Sequence, residues 1–412
     1  MFNSINFKIV LVDYIPYIFL VIIFIYLILY SYVRLKYGFW YYQPVHHAHN
    51  FYYHFFPPGI IMHQLPQPNK YTNFKQIDTI YFNKLSDIQL TQFTNFIRVH
   101  FHNQGDNKFA PRKENIIPYF KGFNQPCFFS FFTEDQLLHN VKTNEPIEDK
   151  KIVSVMTGRP LHVKINNGDP KSNFDAYYID YLCVDTVYRK KGTAPQMIQT
   201  HEYNQRHLNK NIAVSIFKRE GQLTGIVPIC VYNMYCFDCR RWGSPILFLH
   251  SSYSVVACNK QNFHFLANYL NMVRSLFEIE IKPEYSNLLE LVLTENIYIY
   301  YLLQKGVIYA VYMFRKSSTI IEGGKEALTC FASINTCDSN DIFLNGFKLA
   351  FWDIIKERKN YGFLVIENIS CNNVLINGLV IRNKPYIISP AAYFFYNFAY
   401  KTFNPNKVLM IN

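Results

Sequence analysis

The most chemically pointed run in the sequence is Arg189-Lys190-Lys191-Gly192-Thr193-Ala194-Pro195. It stands between an apolar segment, Tyr177 to Val184, and an amphipathic one, Ala194 to Leu208, which read as a strand and a helix. Small residues at a strand-to-helix turn let backbone N–H groups approach a ligand, and the helix start favours negative charge. With three cations beside it, such a turn suits a pyrophosphate; the bland alternative is a basic cap on a solvated turn. Other reactive groups carry less. His46, His47, His49 and His54 have no cysteine or carboxylate among them, and Cys236-Phe237-Asp238-Cys239 is the only CxxC. Neither offers a full zinc ligand set, so no metal is expected.

The elements that position the basic turn belong to a chain of 412 residues, 50% hydrophobic and 18% aromatic, enough for large cores and ring-lined apolar grooves. Its net charge of +12 attracts polyanions. The Lys and Arg are scattered and no nucleic-acid-binding spacing occurs, so no nucleic-acid partner is expected. Nine cysteines without framework spacing fit a reducing compartment.

From Ile15 to Val33 the sequence has no charge, with Tyr14, Tyr17, Tyr30 and Tyr32 near the ends and Pro16 in the expected first turn. This is long enough for one uncleaved transmembrane helix. Arg34 and Lys36 follow it, whereas Lys8 and Asp13 before it nearly cancel, which places the C-terminal bulk in the cytosol. Beyond an extended arm over 37–75, a helix is expected at Leu85–His100. Strands are expected at Ile152–Met156, Leu161–Ile165 and Tyr177–Val184, the first two joined by a turn at Thr157–Pro160, then the helix to Leu208 and a strand at Ile212–Phe217. A similar order recurs at Val307–Phe314, Leu328–Ile334, Leu344–Arg358 and Phe363–Glu367. The fold class is therefore α/β (α+β), with two halves related by internal duplication behind one transmembrane helix.

Three blocks carry a family resemblance. Tyr181-Leu182-Cys183-Val184 followed by Arg189, Lys191, Gly192, Ala194 and Pro195 fits the acyl-CoA turn of GNAT acyltransferases in its N-myristoyltransferase version. Tyr37-Gly38-Phe39-Trp40-Tyr41-Tyr42-Gln43-Pro44-Val45 resembles that family's Tyr-x-Phe-Trp-x-x-Gln-Pro-Val segment. Tyr393 to Phe398, with Lys407-Val408 and a short apolar end, resembles its C-terminal Tyr-rich strand and tail. Residues 1–36 read as the anchor by their apolar run, and the resemblance, which begins at Tyr37, implies 37–75 as acyl-CoA-binding arm, 76–245 as an acyl-CoA-binding GNAT-like half, and 246–412 as a peptide-binding half with a catalytic C-terminus.

What it further implies is transfer of myristate or a similar acyl chain from acyl-CoA to the N-terminal glycine amine of a protein, with no permanently bound cofactor, by a monomer. Tyr37, Phe39, Trp40, Tyr181 to Val184 and Arg189 to Pro195, including Lys190 and Thr193, would bind the acyl-CoA. Backbone N–H groups of Tyr181 and Leu182 would polarise the thioester carbonyl. The α-carboxylate of Asn412 would be the base. The acceptor side departs from the family: its acidic stretch is replaced by Val99 to Asp106, its Tyr-Thr strand by Val214 to Phe217 with extra residues to Thr224, and its Asp in the second half by Asn368. An acyltransferase with another acceptor, or an inactive acyl-CoA-binding membrane protein, therefore remains open.

Overall fold

The computed structural model describes residues 3–101, 107–139, 146–168, 172–221, 225–245 and 249–412, with side chains throughout except at 3–13, 37, 138, 139 and 146–148. Residues 102–106 of the Val99–Asp106 stretch and 222–224 before Gly225 lie outside the described residues.

Apolar helix formers extend the first helix, α1 (Asn3–Tyr37), toward the N-terminus, so Pro16 falls inside it and not in its first turn. Its stretch Tyr14–Lys36 is long and apolar enough to cross a membrane, and none of it is buried against the rest of the protein. The arm is less extended than its Pro and His content suggests, with a 3-10 turn at Trp40–Tyr42, α2 (Phe51–Phe55) capped by Asn50, and β1 (Gly59–Ile60).

The first half continues through β2 (Ile77–Tyr81), α3 (Asp87–His100), β3 (Lys108–Phe109), α4 (Lys113–Ile116), β4 (Phe128–His139), β5 (Pro146–Ile165), β6 (Asn173–Val184), α5 (Thr193–Leu208), β7 (Val214–Glu220) and β8 (Cys230–Asp238). The second comprises β9 (Tyr253–Ala257), α6 (Phe263–Met272), β10 (Ile279–Lys282), α7 (Tyr285–Leu293), β11 (Ile297–Gln304), β12 (Val307–Ile321), β13 (Lys325–Asn335), α8 (Asn340–Glu357), β14 (Tyr361–Glu367), α9 (Asn372–Val380), β15 (Ile387–Tyr396), β16 (Phe398–Ala399) and β17 (Val408–Met410). A reciprocal Ser86/Gln89 capping box starts α3.

The turn expected at Thr157–Pro160 is absent: β5 is one continuous strand. Along one edge β4 pairs with it as far as Gly158, and β10 takes over at His162. Pro160, which has no N–H to give, sits in the gap between those two ladders.

Each half repeats one unit. Antiparallel β4, β5 and β6 lead into α5 and then β7, which lies parallel to β6. Antiparallel β11, β12 and β13 lead into α8 and then β14, parallel to β13. Both units lie in one sheet of order β17-β10-β5-β6-β7-β15-β8-β14-β13-β12-β11-β9, with β4 also on β5 and β3 on β12. The halves interleave, because β15 inserts between β7 and β8 while β17 returns to the edge beside β10. On α8, Phe343, Phe347, Ala350 and Phe351 form the face buried on the second unit's sheet, and Ile354 extends it.

Candidate active site

Two irregularities in the sheet create the site. In the β5/β6 ladder Asp180 lies opposite Thr157 and Cys183 opposite Val155, so Tyr181 and Leu182 together face Met156. This bulge holds Tyr181 at φ 49°, in the left-handed region. The second irregularity is a parting of parallel strands. β6 and β7 pair only from Ala176↔Val214 to Ile179↔Phe217. Beyond that point β6 stays with β5, whereas β7 follows β15 from Lys218↔Tyr393 to Glu220↔Ala391.

A cavity of about 830 Å³ occupies the opening, lined by Ile179 to Leu182 from one strand and Phe217 to Glu220 from the other. Alternation along β7 sends Ser215 and Phe217 to the α5 face and Lys218 to the opposite face. The cavity touches both, because Glu202 of α5 and Glu367 of β14 each line it.

On the α5 face the lining is largely apolar: Trp40, Met156, Ile179, Leu182, Ile198 and Phe217. Trp40 stacks on Phe217 at 5.7 Å, and Phe39 meets Trp40 edge-on at 5.3 Å. Gln43 fixes the arm there, donating to Gln199 at 3.2 Å and accepting from the Tyr396 hydroxyl at 2.7 Å. One ionisable group interrupts this surface. Glu202 is buried, accepts from Ser215 Oγ at 3.3 Å, and has its pKa pushed up to about 7 by burial.

The opposite face is charged. Glu367, 1% exposed, accepts from the Tyr232 hydroxyl at 2.8 Å, from Lys218 at 3.3 Å and from Arg315. Burial alone would raise its pKa, but Lys218 and Arg315 hold it below the ordinary carboxylate range. Burial likewise opposes the charges of Lys218 and Arg315, yet Glu367 keeps both pKa values raised. Asn412 lines the cavity here while only 3% exposed. β17 lies parallel to β10, and Ile411 N donates to Ile281 O at 2.8 Å, so the tail is fixed and not frayed.

Of the residues singled out in the sequence, Trp40, Tyr181, Leu182 and Asn412 line the cavity; Phe39 backs Trp40, and the side chain of Tyr37 lies outside what is described. The Tyr181 N–H donates to Asp180 Oδ1 at 3.0 Å. Cys183 and Val184 continue β6 beyond the bulge, and burial raises the Cys183 thiol to about 12, which keeps it protonated. The basic turn lies at the start of α5 and outside the cavity lining. Lys190 and Gly192 both have positive φ there, and Thr193, Ala194 and Pro195 form the first turn. Arg189 spends its guanidinium on Val184 O at 3.2 Å and His100 O at 2.6 Å, while Lys191 lies over the Tyr188 ring.

Arg159, Glu202, Lys218, Arg315 and Glu367 were not singled out by type and spacing, because five separate elements bring them together. The available signal was a charge inside an apolar alternation, clearest for Arg159 and Arg315. Asn368 lies one residue beyond the carboxylate that lines the cavity. Among the described residues no three His, Cys, Asp or Glu converge as a metal site; the histidines of the arm pack on one another, His46 on His54 and His47 on His49.

Residues 79–230 match the family model for Myristoyl-CoA:protein N-myristoyltransferase, N-terminal domain. No curated protein matches the sequence significantly. Among solved structures, an N-myristoyltransferase of Saccharomyces cerevisiae with bound myristoyl-CoA is similar at TM-score 0.67 and 12% identity, over 90% of this chain and 90% of that one. Another yeast structure of that enzyme with bound myristoyl-CoA gives TM-score 0.63 at 12% identity, over 89% and 93%. A tandem GNAT protein from the clavulanic acid biosynthesis pathway gives 0.52 at 10% identity, over 80% and 100%. Residues 79–230 thus resemble the N-terminal domain of the N-myristoyltransferases, and about nine-tenths of the chain shares the GNAT-like fold of the yeast enzyme's structures.

Proposed function

We propose that this chain transfers a long acyl chain from acyl-CoA to an amine, with the N-terminal glycine of a protein as the acceptor class. The observation that carries this reading is the cavity at the parting of β6 and β7, apolar toward α5 and charged toward Asn412. An acyl chain fits beside Trp40, Leu182 and Phe217, and its thioester then lies against the Tyr181-Leu182 bulge. The CoA pyrophosphate reaches the start of α5, where Lys190, Lys191 and the first-turn N–H groups face it.

In the transfer the amine nitrogen bonds to the thioester carbonyl carbon, the C–S bond breaks, and CoA leaves as the thiolate. The surplus proton on nitrogen passes to the α-carboxylate of Asn412. A donor from the bulge stabilises the carbonyl oxygen as it gains charge. Asp180 must release the Tyr181 N–H for that residue to contribute.

Membrane attachment through α1 belongs to the same reading. Phe51, Tyr52, Phe55 and Phe56 just beyond it are all more than 60% exposed, as in an aromatic layer at a bilayer surface. One observation favours a second reading, an acyl-CoA-binding protein without turnover: the Asp180 carboxylate already occupies the Tyr181 N–H. The full chain in detergent, loaded with myristoyl-CoA, tests both. Release of CoA only on addition of a Gly-initiated peptide, with the peptide gaining the acyl mass, supports transfer. Tight acyl-CoA binding with no release to any amine supports the second reading.

A further inference from the structure

The charged face of the cavity contains a cation with no ion-pair partner among the described residues. Arg159 is 1% exposed, lines the cavity, and its Nε and Nη1 have no hydrogen-bond partner among the described residues. Its guanidinium lies over the rings of Tyr178 at 4.9 Å and Tyr119 at 5.5 Å. These ring contacts hold the guanidinium in place without supplying a counter-charge.

Two neighbouring cations are balanced: Lys218 pairs with Glu220 and Glu367, and Arg315 with Glu367. Among the described residues no carboxylate pairs with Arg159. A guanidinium does not shed its proton, so burial leaves a full charge in a poorly solvated site. Val155, Leu161 and Val163 of the same strand are all buried apolar residues, and another would fill position 159 at no electrostatic cost. The arginine is explained by an anion that arrives with a ligand.

Resting on the transfer reading above, we infer that the acceptor is an amine bearing a carboxylate a few atoms from its nitrogen, and that this carboxylate seats on Arg159. Entering beside Asn412, such a ligand places its amine near the thioester while the guanidinium fork takes the acid. The carboxylate comes either from an acidic residue next to an N-terminal glycine or from the α-carboxylate of free glycine, and the two sources present the same chemistry to Arg159.

Calorimetry tests this independently of turnover, using the full chain in detergent saturated with a non-hydrolysable thioether analogue of myristoyl-CoA. The probes are the amidated peptides Gly-Asp-Ala-Ala-Ser and Gly-Asn-Ala-Ala-Ser, and free glycine. An acidic probe, either the Gly-Asp peptide or glycine, binds at least ~10-fold tighter than the Gly-Asn peptide, and which one does so identifies the source. Arg159→Met abolishes the preference while its thioether affinity, measured in parallel, shows that the site is folded; Arg159→Lys retains part of it. Equal affinities, failure of both acidic probes to bind, or a preference that survives Arg159→Met overturns the inference. Arg159-dependent binding with no acyl transfer to any probe when myristoyl-CoA replaces the thioether would leave this anion seat standing and remove the transfer reading instead.

Discussion

Arg315 grips Asn412 twice, donating from Nη1 to its main-chain oxygen at 3.3 Å and to its side-chain Oδ1 at 3.0 Å. The other guanidinium nitrogen is on Glu367, so the last residue of the sequence is tied to the buried ion network of the cavity. Among the described residues, removing Arg315 leaves Glu367 with Lys218 as its one cation, beside the Tyr232 hydroxyl. Arg315→Met therefore costs about 3–5 kcal/mol of stability, and Arg315→Met combined with Glu367→Leu costs less than either change alone. Urea denaturation of the two single variants and the double variant checks this.

The buried carboxyl of Glu202 makes stability depend on pH. Burial pushes its folded pKa up to about 7 from the ordinary 4.5, so its contribution is full below about 4.5 and lost as pH rises through 7. The difference corresponds to about 3 kcal/mol. Glu202→Gln removes that loss and gains on the parent protein between pH 5 and about 8, as thermal denaturation across that range reads directly.

Close packing of α5 on the sheet depends on Gly158. A Cβ built there would lie 2.5 Å from Gln205 Oε1 and 3.2 Å from His201 Nε2. Gly158→Ala pushes α5 away and lowers stability by about 1–3 kcal/mol. Acyl-CoA affinity falls with it, because the basic turn and Ile198 move with the helix; calorimetry on the folded variant measures the drop.

The parts legible in the sequence were those with local signatures: α1, the basic turn at the start of α5, the Leu182-Cys183-Val184 strand end and the repeated order of strands and helix. Pro160 misled because its tolerance depends on β4 and β10 exchanging places beside β5, which only the assembled sheet determines. The insertion of β15 between β7 and β8 was hidden for the same reason. Glu202, Arg315 and Glu367 form the site by convergence from a helix and two distant strands. No spacing rule anticipates that meeting. The tail was legible because Val408 to Ile411 is too apolar to stay in water, and all four residues are buried.

Charge at the basic turn tests the acyl-CoA assignment. Arg189 holds backbone carbonyls, whereas Lys190 and Lys191 have no salt bridge among the described residues. Lys190→Glu with Lys191→Glu therefore weakens acyl-CoA binding by ~10-fold or more with the fold intact, and Arg189→Glu both weakens binding and loosens the turn. Calorimetry with near-ultraviolet circular dichroism separates the two effects.

Single-turnover acyl transfer to a Gly-initiated peptide, after three residues are appended beyond Asn412, is the most direct measurement of the mechanism. If the α-carboxylate is the base, the extension slows transfer by ~100-fold or more while acyl-CoA affinity stays within a few-fold of the parent. Asn412→Gln keeps the carboxylate and a side-chain acceptor for Arg315, and remains close to the parental rate. An extended protein that acylates the peptide at the parental rate would contradict the assignment of the base to the C-terminus.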